Sequence, residues 1–156
     1  MSKTVAQPRL IIVGDSNEKA HGQPLKFSPS VALTFGTLSV GDYSLKGFED
    51  KIVVERKRLL DLLNCLGGDR ERFIKCLEKM RHYERKWIVC QFEQAELTLS
   101  NTYTGMNPNA VYQSVASIEA VYGIPFRFFP SGAEAAKWIE SVFTHYLLWK
   151  RKGCKK

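Results

Sequence analysis

The sequence predicts a single α/β domain. Three observations predict it. Short β-branched apolar runs alternate along the whole length with stretches of helical period, clusters of Gly, Pro, Ser and Asn separate them, and no internal repeat or low-complexity linker divides the chain. With 156 residues, 44% of them hydrophobic, the chain can bury one good core and is too short for two ordinary domains.

The elements follow in order. RLIIVG (9–14) is a short apolar run ending in Gly-Asp, the pattern of a buried strand that opens into a loop. Residues 15–30, DSNEKAHGQPLKFSPS, carry two prolines and three serines and read as an irregular connection. VALTFG (31–36), VGDYSLKGF (40–48) and KIVVERK (51–57) read as three short strands joined by tight turns, the last at FED, which suggests an antiparallel meander. LLDLLNCL (59–66), closed by two glycines, is a short helix, and DRERFIKCLEKMRHYERK (69–86) is a second one. In that second helix Phe73, Ile74, Leu77, Met80 and Tyr83 or Glu84 fall on one face, and Asp69 is placed to cap its start.

WIVCQF (87–92) returns to strand character, residues 95–107 fit neither period, and NTYTGMNPN (101–109) reads as a loop. AVYQSVASIEAVYG (110–123) is a helix closed by glycine, IPFRFF (124–129) is a last strand, and AEAAKWIESVFTHYLLWKRK (133–152) is a final helix. On that helix Trp138, Ile139, Val142, Phe143, Tyr146 and Leu147 form an apolar stripe, which Leu148 and Trp149 widen beyond one core face. A subunit interface is the expected use of the excess.

Lys and Arg number 23 against 16 Asp and Glu, a net charge of +7, which favours an anionic partner such as nucleic acid without choosing between DNA, RNA and acidic protein. The cysteines at 65, 76, 90 and 154 form no CxxC pair and have no histidine at zinc-ligand spacing, so reduced thiols and an intracellular protein are expected. His21, His82 and His145 are scattered singly. No segment approaches the ~18 consecutive apolar residues of a membrane span, so no membrane association is expected.

The chemistry concentrates at residues 41–61, GDYSLKGFEDKIVVERKRLLD. Side chains two apart on a strand share a face, so Glu55 and Lys57 project together while Arg56 points to the other side. If strands 40–48 and 51–57 pair as a hairpin, Asp42 approaches Glu55 on that face. Two converging carboxylates beside a lysine suit magnesium, which takes oxygen ligands, keeps several waters and needs no histidine or cysteine. The metal would polarise the scissile phosphate and supply hydroxide at neutral pH. Lys57 could orient the attacking water or neutralise charge on the phosphorane. Asp15 and Glu18 could complete the site or bind a second metal. The structural alternative for Asp42, Glu55 and Lys57 is a solvated strand edge with an ion pair worth at most ~1 kcal/mol.

Gly41-Asp42, then Glu55-Arg56-Lys57 and Asp61, form a GDx(n)ERKxxxD pattern that resembles the XPF-type nuclease domain, a branch of the PD-(D/E)xK class. IIVGDSNE is similar to that family's first strand with its Asp and Glu, and DRERFIKCLEKMRHYERKWIVCQFE resembles its following helix and strand, so the likeness covers about residues 9–130. Where the family often has an arginine between its first two acids, Asn17 stands instead.

The resemblance implies a restriction-endonuclease-like fold, a central mixed β-sheet flanked by helices, and a magnesium- or manganese-dependent endonuclease acting on flaps, forks or junctions. It gives Asp42, Glu55 and Lys57 the core catalytic roles, with Asp15 and Glu18 assisting and Asp15 joining Asp42 and Glu55 as a metal ligand. Arg56 and Asp61 match the signature too, Arg56 contacting phosphate or pairing with Asp61, and Asp61 fixing either cation. Arg70 and Arg72 are the expected phosphate contacts at the next helix.

Residues 1–150 are then the nuclease domain and 151–156 a basic tail, either a phosphate-binding arm, a nuclear-import signal or solubilising charge. The family's helix-hairpin-helix module is not expected here, so selectivity for DNA structure falls to the nuclease surface, a homodimer or heterodimer, or a partner supplying a DNA-binding module. The expected location is the nucleus in a eukaryote, the cytoplasm for a bacterial or phage protein. Two alternatives stay open: a catalytically silent DNA-binding scaffold, and a Holliday-junction resolvase of the wider class. A scaffold has no use for a repulsive carboxylate pair.

Overall fold

A computed structural model describes residues 9–20 and 23–153 of the protein. His21 and the end of the basic tail, with Cys154, lie outside the described residues. Among the described residues six strands form one sheet: β1 (Ile11–Asp15), β2 (Ala32–Gly36), β3 (Tyr43–Leu45), β4 (Ile52–Lys57), β5 (Arg85–Cys90) and β6 (Phe126–Phe128). Their spatial order is β2-β1-β3-β4-β5-β6. β1 pairs parallel with β2 and antiparallel with β3, β3 pairs antiparallel with β4, and β4-β5-β6 run parallel, so the sheet is mixed.

The helices are α1 (Ser16–Ala20), α2 (Leu59–Leu66), α3 (Arg70–Met80), α4 (Ser100–Thr104), α5 (Pro108–Tyr122) and α6 (Gly132–Arg151), with a 3-10 turn at Gln94–Leu99. They cover both faces. On one face Leu62, Leu66, Phe73, Leu77, Val111, Val115 and Ile118, from α2, α3 and α5, pack with Val53, Ile88 and Cys90 of the sheet. On the other, Ala135, Ile139, Phe143 and Tyr146 of α6 pack with Ile12, Tyr43, Ile52, Val54 and Val89. β4 thus buries Val53 on one side and Ile52 and Val54 on the other. This is why its apolar run is continuous where a half-buried strand would alternate.

Several elements depart from the sequence reading. β2 is not part of a meander: β1 lies between it and β3, with Ile11 opposite Ala32 and Asp15 opposite Gly36. β1 buries Ile12 and Val13 on successive faces and needs neighbours on both sides, whereas β2, with Thr34 and Phe35 exposed, suits an edge. The supposed irregular connection begins with α1. Residues 101–104 are helical as α4, with Gly105 closing it in the left-handed conformation. α3 stops at Met80, six residues short of the expected end, because pairing with β4 claims the chain from Arg85, which lies opposite Ile52. Ile74 sits exposed at the margin of the helix's apolar face.

At the C-terminal end of α6 the Trp149 ring meets Tyr146, and the Arg85 guanidinium stacks over it at 5.0 Å. Part of the apolar excess of that helix is therefore covered within the chain.

Candidate active site

Strand alternation and hairpin register assemble the site. Glu55 and Lys57 follow Val53 on the β4 face that α2 and α3 cover, and Arg56 follows Val54 on the α6 face. The backbone of Asp42 extends the ladder just ahead of β3. Its N–H donates to the Val54 carbonyl at 2.8 Å, its carbonyl accepts from Asp15 N–H at 2.8 Å, and its Oδ2 accepts from Arg56 N–H at 2.7 Å. Gly41 makes this approach possible. It has φ +81, and a Cβ there would lie 2.1 Å from Val53 Cγ2, so no other residue fits between the strands.

Asp42, Glu55 and Lys57 converge on a cavity of about 440 Å³. Asp61, Asn64 and Cys65 of α2 and Arg72, Phe73 and Cys76 of α3 form the opposite wall, with Asn17 and Asp69 at its margins. Lys57 Nζ lies 3.2 Å from Glu55 Oε1 and 5.6 Å from the centroid of the Phe73 ring. Burial pushes the Asp42 carboxyl well above the usual carboxylate range, and the charges of Glu55 and Glu18 push it further, against the Arg56 N–H and Lys57. Glu55 is raised as well, first by burial, with Lys57 opposing and Glu18 and Asp15 adding. For Lys57 burial acts downward, but Glu55 and then Cys65 outweigh it, and its ammonium is held above the ordinary lysine range. The pocket therefore contains two carboxylates that cost free energy to ionise together, and one firmly charged amine.

The remaining expected residues divide. Asp61 and Arg72 reach the pocket. Asp61 pairs with neither Arg56 nor Lys57: its Oδ2 accepts from Arg58 N–H at 3.4 Å and lies 3.9 Å from the Arg58 guanidinium, both at the exposed start of α2. Arg56 does not line the pocket. Its Nε and NH2 both donate to Gln91 Oε1, at 3.1 and 2.8 Å, and its NH1 donates to Glu18 Oε2 at 3.0 Å and to the Gln23 carbonyl at 2.8 Å. Strand alternation explains the difference, since Arg56 emerges on the α6 face. Arg70 donates to the Leu66 carbonyl and lines a different cavity, between α3 and α5.

Asp15 is buried, and both its oxygens are taken by backbone donors: Oδ2 by Asn17 N–H at 3.1 Å and Oδ1 by Leu38 N–H at 2.9 Å. It organises the end of β1 and influences Glu55 through space, without lining the pocket. Glu18 is tied through Oε2 to Arg56 and to the Tyr43 hydroxyl at 2.7 Å. Asp69 makes no capping hydrogen bond to α3, contrary to expectation, and its side chain borders the pocket instead. Sequence reasoning also missed Cys65 and Cys76, whose helical positions put them on the pocket wall. Their spacing from α2 to α3 carries no recognisable pattern.

Among the described residues no group of three or more His, Cys, Asp and Glu side chains is arranged to hold a metal ion. The donor chemistry nonetheless fits a hard divalent cation. Asp42 Oδ1 and Glu55 Oε2 have no protein partner among the described residues, both belong to carboxylates that repel each other, and the cavity has room for several waters.

Comparison with known proteins identifies the fold and the family. A solved structure of XPF from Aeropyrum pernix in complex with DNA superposes with a TM-score of 0.68 at 25% identity, covering 92% of this chain and 66% of that one. A second, of XPF from Aeropyrum pernix, gives a TM-score of 0.64 at 22% identity, covering 88% of this chain and 65% of that one, a likeness of fold. The chain thus spans just under two thirds of the length of these solved chains. No curated protein matches. The ERCC4 domain family matches residues 15–142, a span that contains every element of the site, and the chain belongs to that family as an XPF-type nuclease domain with a restriction-endonuclease-like fold.

Proposed function

We propose that the protein is a divalent-metal-dependent endonuclease that hydrolyses phosphodiester bonds in branched DNA. The observation that carries this reading is the convergence of Asp42, Glu55 and Lys57 on one water-accessible cavity. An ion-paired strand edge needs no second carboxylate, and Asp42 held beside Glu55 costs stability unless a cation uses it.

Asp42 and Glu55 would hold the magnesium or manganese ion. When bound, that ion supplies Lewis-acid polarisation of the scissile phosphate and a water that ionises near neutral pH. The chain's own residues do the rest. Lys57 keeps its proton and places positive charge where negative charge develops on the phosphate. Phe73 walls the pocket with an apolar surface, which strengthens that electrostatic contact. Arg72 at the rim is positioned for a phosphate flanking the one that is cut. Asp15 braces β1 under the site. Arg56 serves as a structural clamp.

Selectivity for branched over linear DNA comes in this reading from a second subunit, identical or different, or from a partner module. Labelled flap, fork, four-way-junction and linear duplex DNA, each incubated with and without magnesium, test the proposal. Metal-dependent cutting of branched substrates that disappears in Asp42→Ala supports it. Binding without cutting under any divalent metal would replace it with the scaffold reading.

A further inference from the structure

The helices α3 and α5 do not close fully on each other. Between them runs a cleft lined from α3 by Arg70 and Ile74, one turn apart, and from α5 by Ser114, Ser117 and Val121. Two of those three α5 positions hold side chains too short to fill a helix-helix contact, where protein interiors are otherwise close-packed. The space left is about 130 Å³, with Leu66, Phe73, Leu77 and Ile118 as its apolar floor. Ile74 and Val121 are both exposed, Val121 at 57%, so aliphatic surface continues from the floor to the mouth.

The volume selects the size of the ligand. Small-molecule sites span ~300 Å³ or more, whereas a dry cavity of roughly 150 Å³ holds one benzene ring, so this cleft accepts one ring or one branched aliphatic side chain. Arg70 supplies the charge. Its NH1 makes one long hydrogen bond, 3.4 Å to the Leu66 carbonyl, and its remaining donors have no partner among the described residues. Arg81, at the other end of α3, is already committed: it pairs with Glu78 at 3.4 Å and stacks over the Tyr122 ring at 5.5 Å. The hydroxyls of Ser114 and Ser117 also lack a hydrogen-bond partner among the described residues. An apolar side chain and a carboxylate carried on one carbon atom satisfy floor and rim together, and a polypeptide has that combination only at its C-terminal residue. A free amino acid would bring its ammonium against Arg70 as well. A DNA strand would match Arg70 but has only polar-edged bases for the apolar floor.

We propose that the cleft between α3 and α5 docks the C-terminus of a partner protein, an acidic segment whose last residue is aromatic or branched aliphatic. The terminal side chain fills the cleft, Arg70 holds the terminal carboxylate, and Ser114 and Ser117 hydrogen-bond the last peptide group. The net charge of +7 favours the acidic residues upstream. Phe73 lines both this cleft and the catalytic cavity, whereas Asp42, Glu55 and Lys57 line only the latter. The partner is thereby held beside the site without covering its charged residues. Docking needs neither metal nor cleavage, so the inference stands apart from the nuclease reading.

The test is fluorescence anisotropy with the whole chain, in a chelator, and a fluorescein-labelled octapeptide of glycine and aspartate that ends in phenylalanine with a free carboxylate. Its companions are the same peptide amidated at the C-terminus and the same peptide ending in alanine. Arg70→Ala removes the guanidinium, and Ser117→Trp fills the cleft from an exposed helix position. The expected result is saturable binding to wild type, weakened about tenfold or more by amidation, by the alanine end and by either variant, the scale of a lost charge-assisted hydrogen bond or a lost buried ring. No saturable binding up to about 1 mM peptide overturns the proposal. Equal affinity for the amidated or alanine-ended peptide also overturns it, since that is mere attraction of an acidic chain to a basic surface, as does wild-type affinity in either folded variant. Should one variant fail to fold, the other locates the site. Displacement by 3-phenylpropionate as effective as by the unlabelled peptide would assign the cleft to a small molecule, and an oligonucleotide weakened tenfold by Ser117→Trp while the peptide is unaffected would assign it to DNA; each replaces the proposal. Wild type that cuts DNA but ignores the peptide removes this inference alone, whereas wild type that binds the peptide and cuts nothing removes only the nuclease reading.

Discussion

The backbone N–H of Arg56 donates to Oδ2 of Asp42 at 2.7 Å, so the Asp42 side chain is tied to the second half of the GDx(n)ERKxxxD pattern through the arginine's main chain, not its guanidinium. The bond orients the Asp42 carboxylate. One oxygen is spent on β4, and the other faces the cavity with Glu55. The backbone of the signature arginine thus serves the α2/α3 face of the sheet while its side chain serves the opposite face.

The acid pair makes stability and activity oppose each other. Burial first, then Glu55 and Glu18, raise the Asp42 carboxyl in the folded protein above its unfolded value. Folding therefore favours the protonated form, and the contribution of Asp42 to stability is complete below the ordinary carboxylate range and lost as pH rises through its folded pKa. Asp42→Asn should stabilise the metal-free protein at neutral pH by about 1 kcal/mol while abolishing cleavage. Urea unfolding in a chelator should show that gain shrinking to nothing as pH falls toward about 4, where the wild-type carboxyl is itself protonated. Cleavage by wild type should rise with pH through the same raised range, and added magnesium should move the profile to lower pH because metal and proton compete for the same oxygens.

The Gly41 position sets how much of the site survives substitution. Its φ of +81 and the 2.1 Å approach of Val53 Cγ2 penalise even a methyl group twice, through backbone strain and through overlap. Gly41→Ala should lower unfolding free energy by about 3 kcal/mol, the sum of a left-handed non-glycine residue and an overpacked core contact. The urea midpoint measures the loss. Because Asp42 follows directly, the fraction that remains folded should also cut more slowly. Gly47, also at positive φ but with open space around it, is the control: Gly47→Ala should lose only the backbone part.

What the sequence revealed follows from local periodicity. A period of two placed Glu55 and Lys57 on one face and Arg56 on the other, and the hairpin between 40–48 and 51–57 brought Asp42 to Glu55, as antiparallel strands do when a tight turn joins them. The contacts that change residue roles are long-range. Arg56 meets Gln91 and Glu18 at sequence separations of 35 and 38, and Tyr43 meets Glu18 at 25. No local pattern encodes them. β2 was misplaced for the same reason: sequence neighbours usually pair, but the buried two-faced β1 competes for the central position and wins.

Arg56 and Arg72 should separate clearly in DNA binding. Arg72 lines the cavity from an exposed position on α3, whereas Arg56 is committed to Gln91, Glu18 and Gln23. Arg72→Ala should reduce the slope of log affinity against log salt by about 1, the signature of one lost phosphate contact. Arg56→Ala should leave that slope unchanged and instead lower stability by about 1 kcal/mol, since it takes the donor from the part-buried Gln91 and Glu18 acceptors. Fluorescence anisotropy over a salt series in calcium, which permits binding measurements apart from cutting, distinguishes the two. A reduced slope in Arg56→Ala would show that its side chain leaves the network to meet DNA.

Lys57 divides rate from affinity. Its ammonium lies 3.2 Å from Glu55 and is mostly shielded, so much of its charge is already balanced before DNA arrives. Removing it should change DNA affinity little. The same substitution leaves Glu55 buried without its cation, pushing its carboxyl further upward, and takes from the transition state the positive charge placed to meet it. Lys57→Ala should therefore slow single-turnover cleavage by about 10²–10³-fold, the usual cost of one preorganised electrostatic partner, with DNA binding within about twofold of wild type. Lys57→Arg should recover only part of the rate, because the planar guanidinium cannot occupy the space over the Phe73 ring and reach Glu55 as the slimmer ammonium does. If affinity fell in step with rate, Lys57 would be anchoring substrate in its ground state, and the charge on its amine would not be reserved for the reacting phosphate.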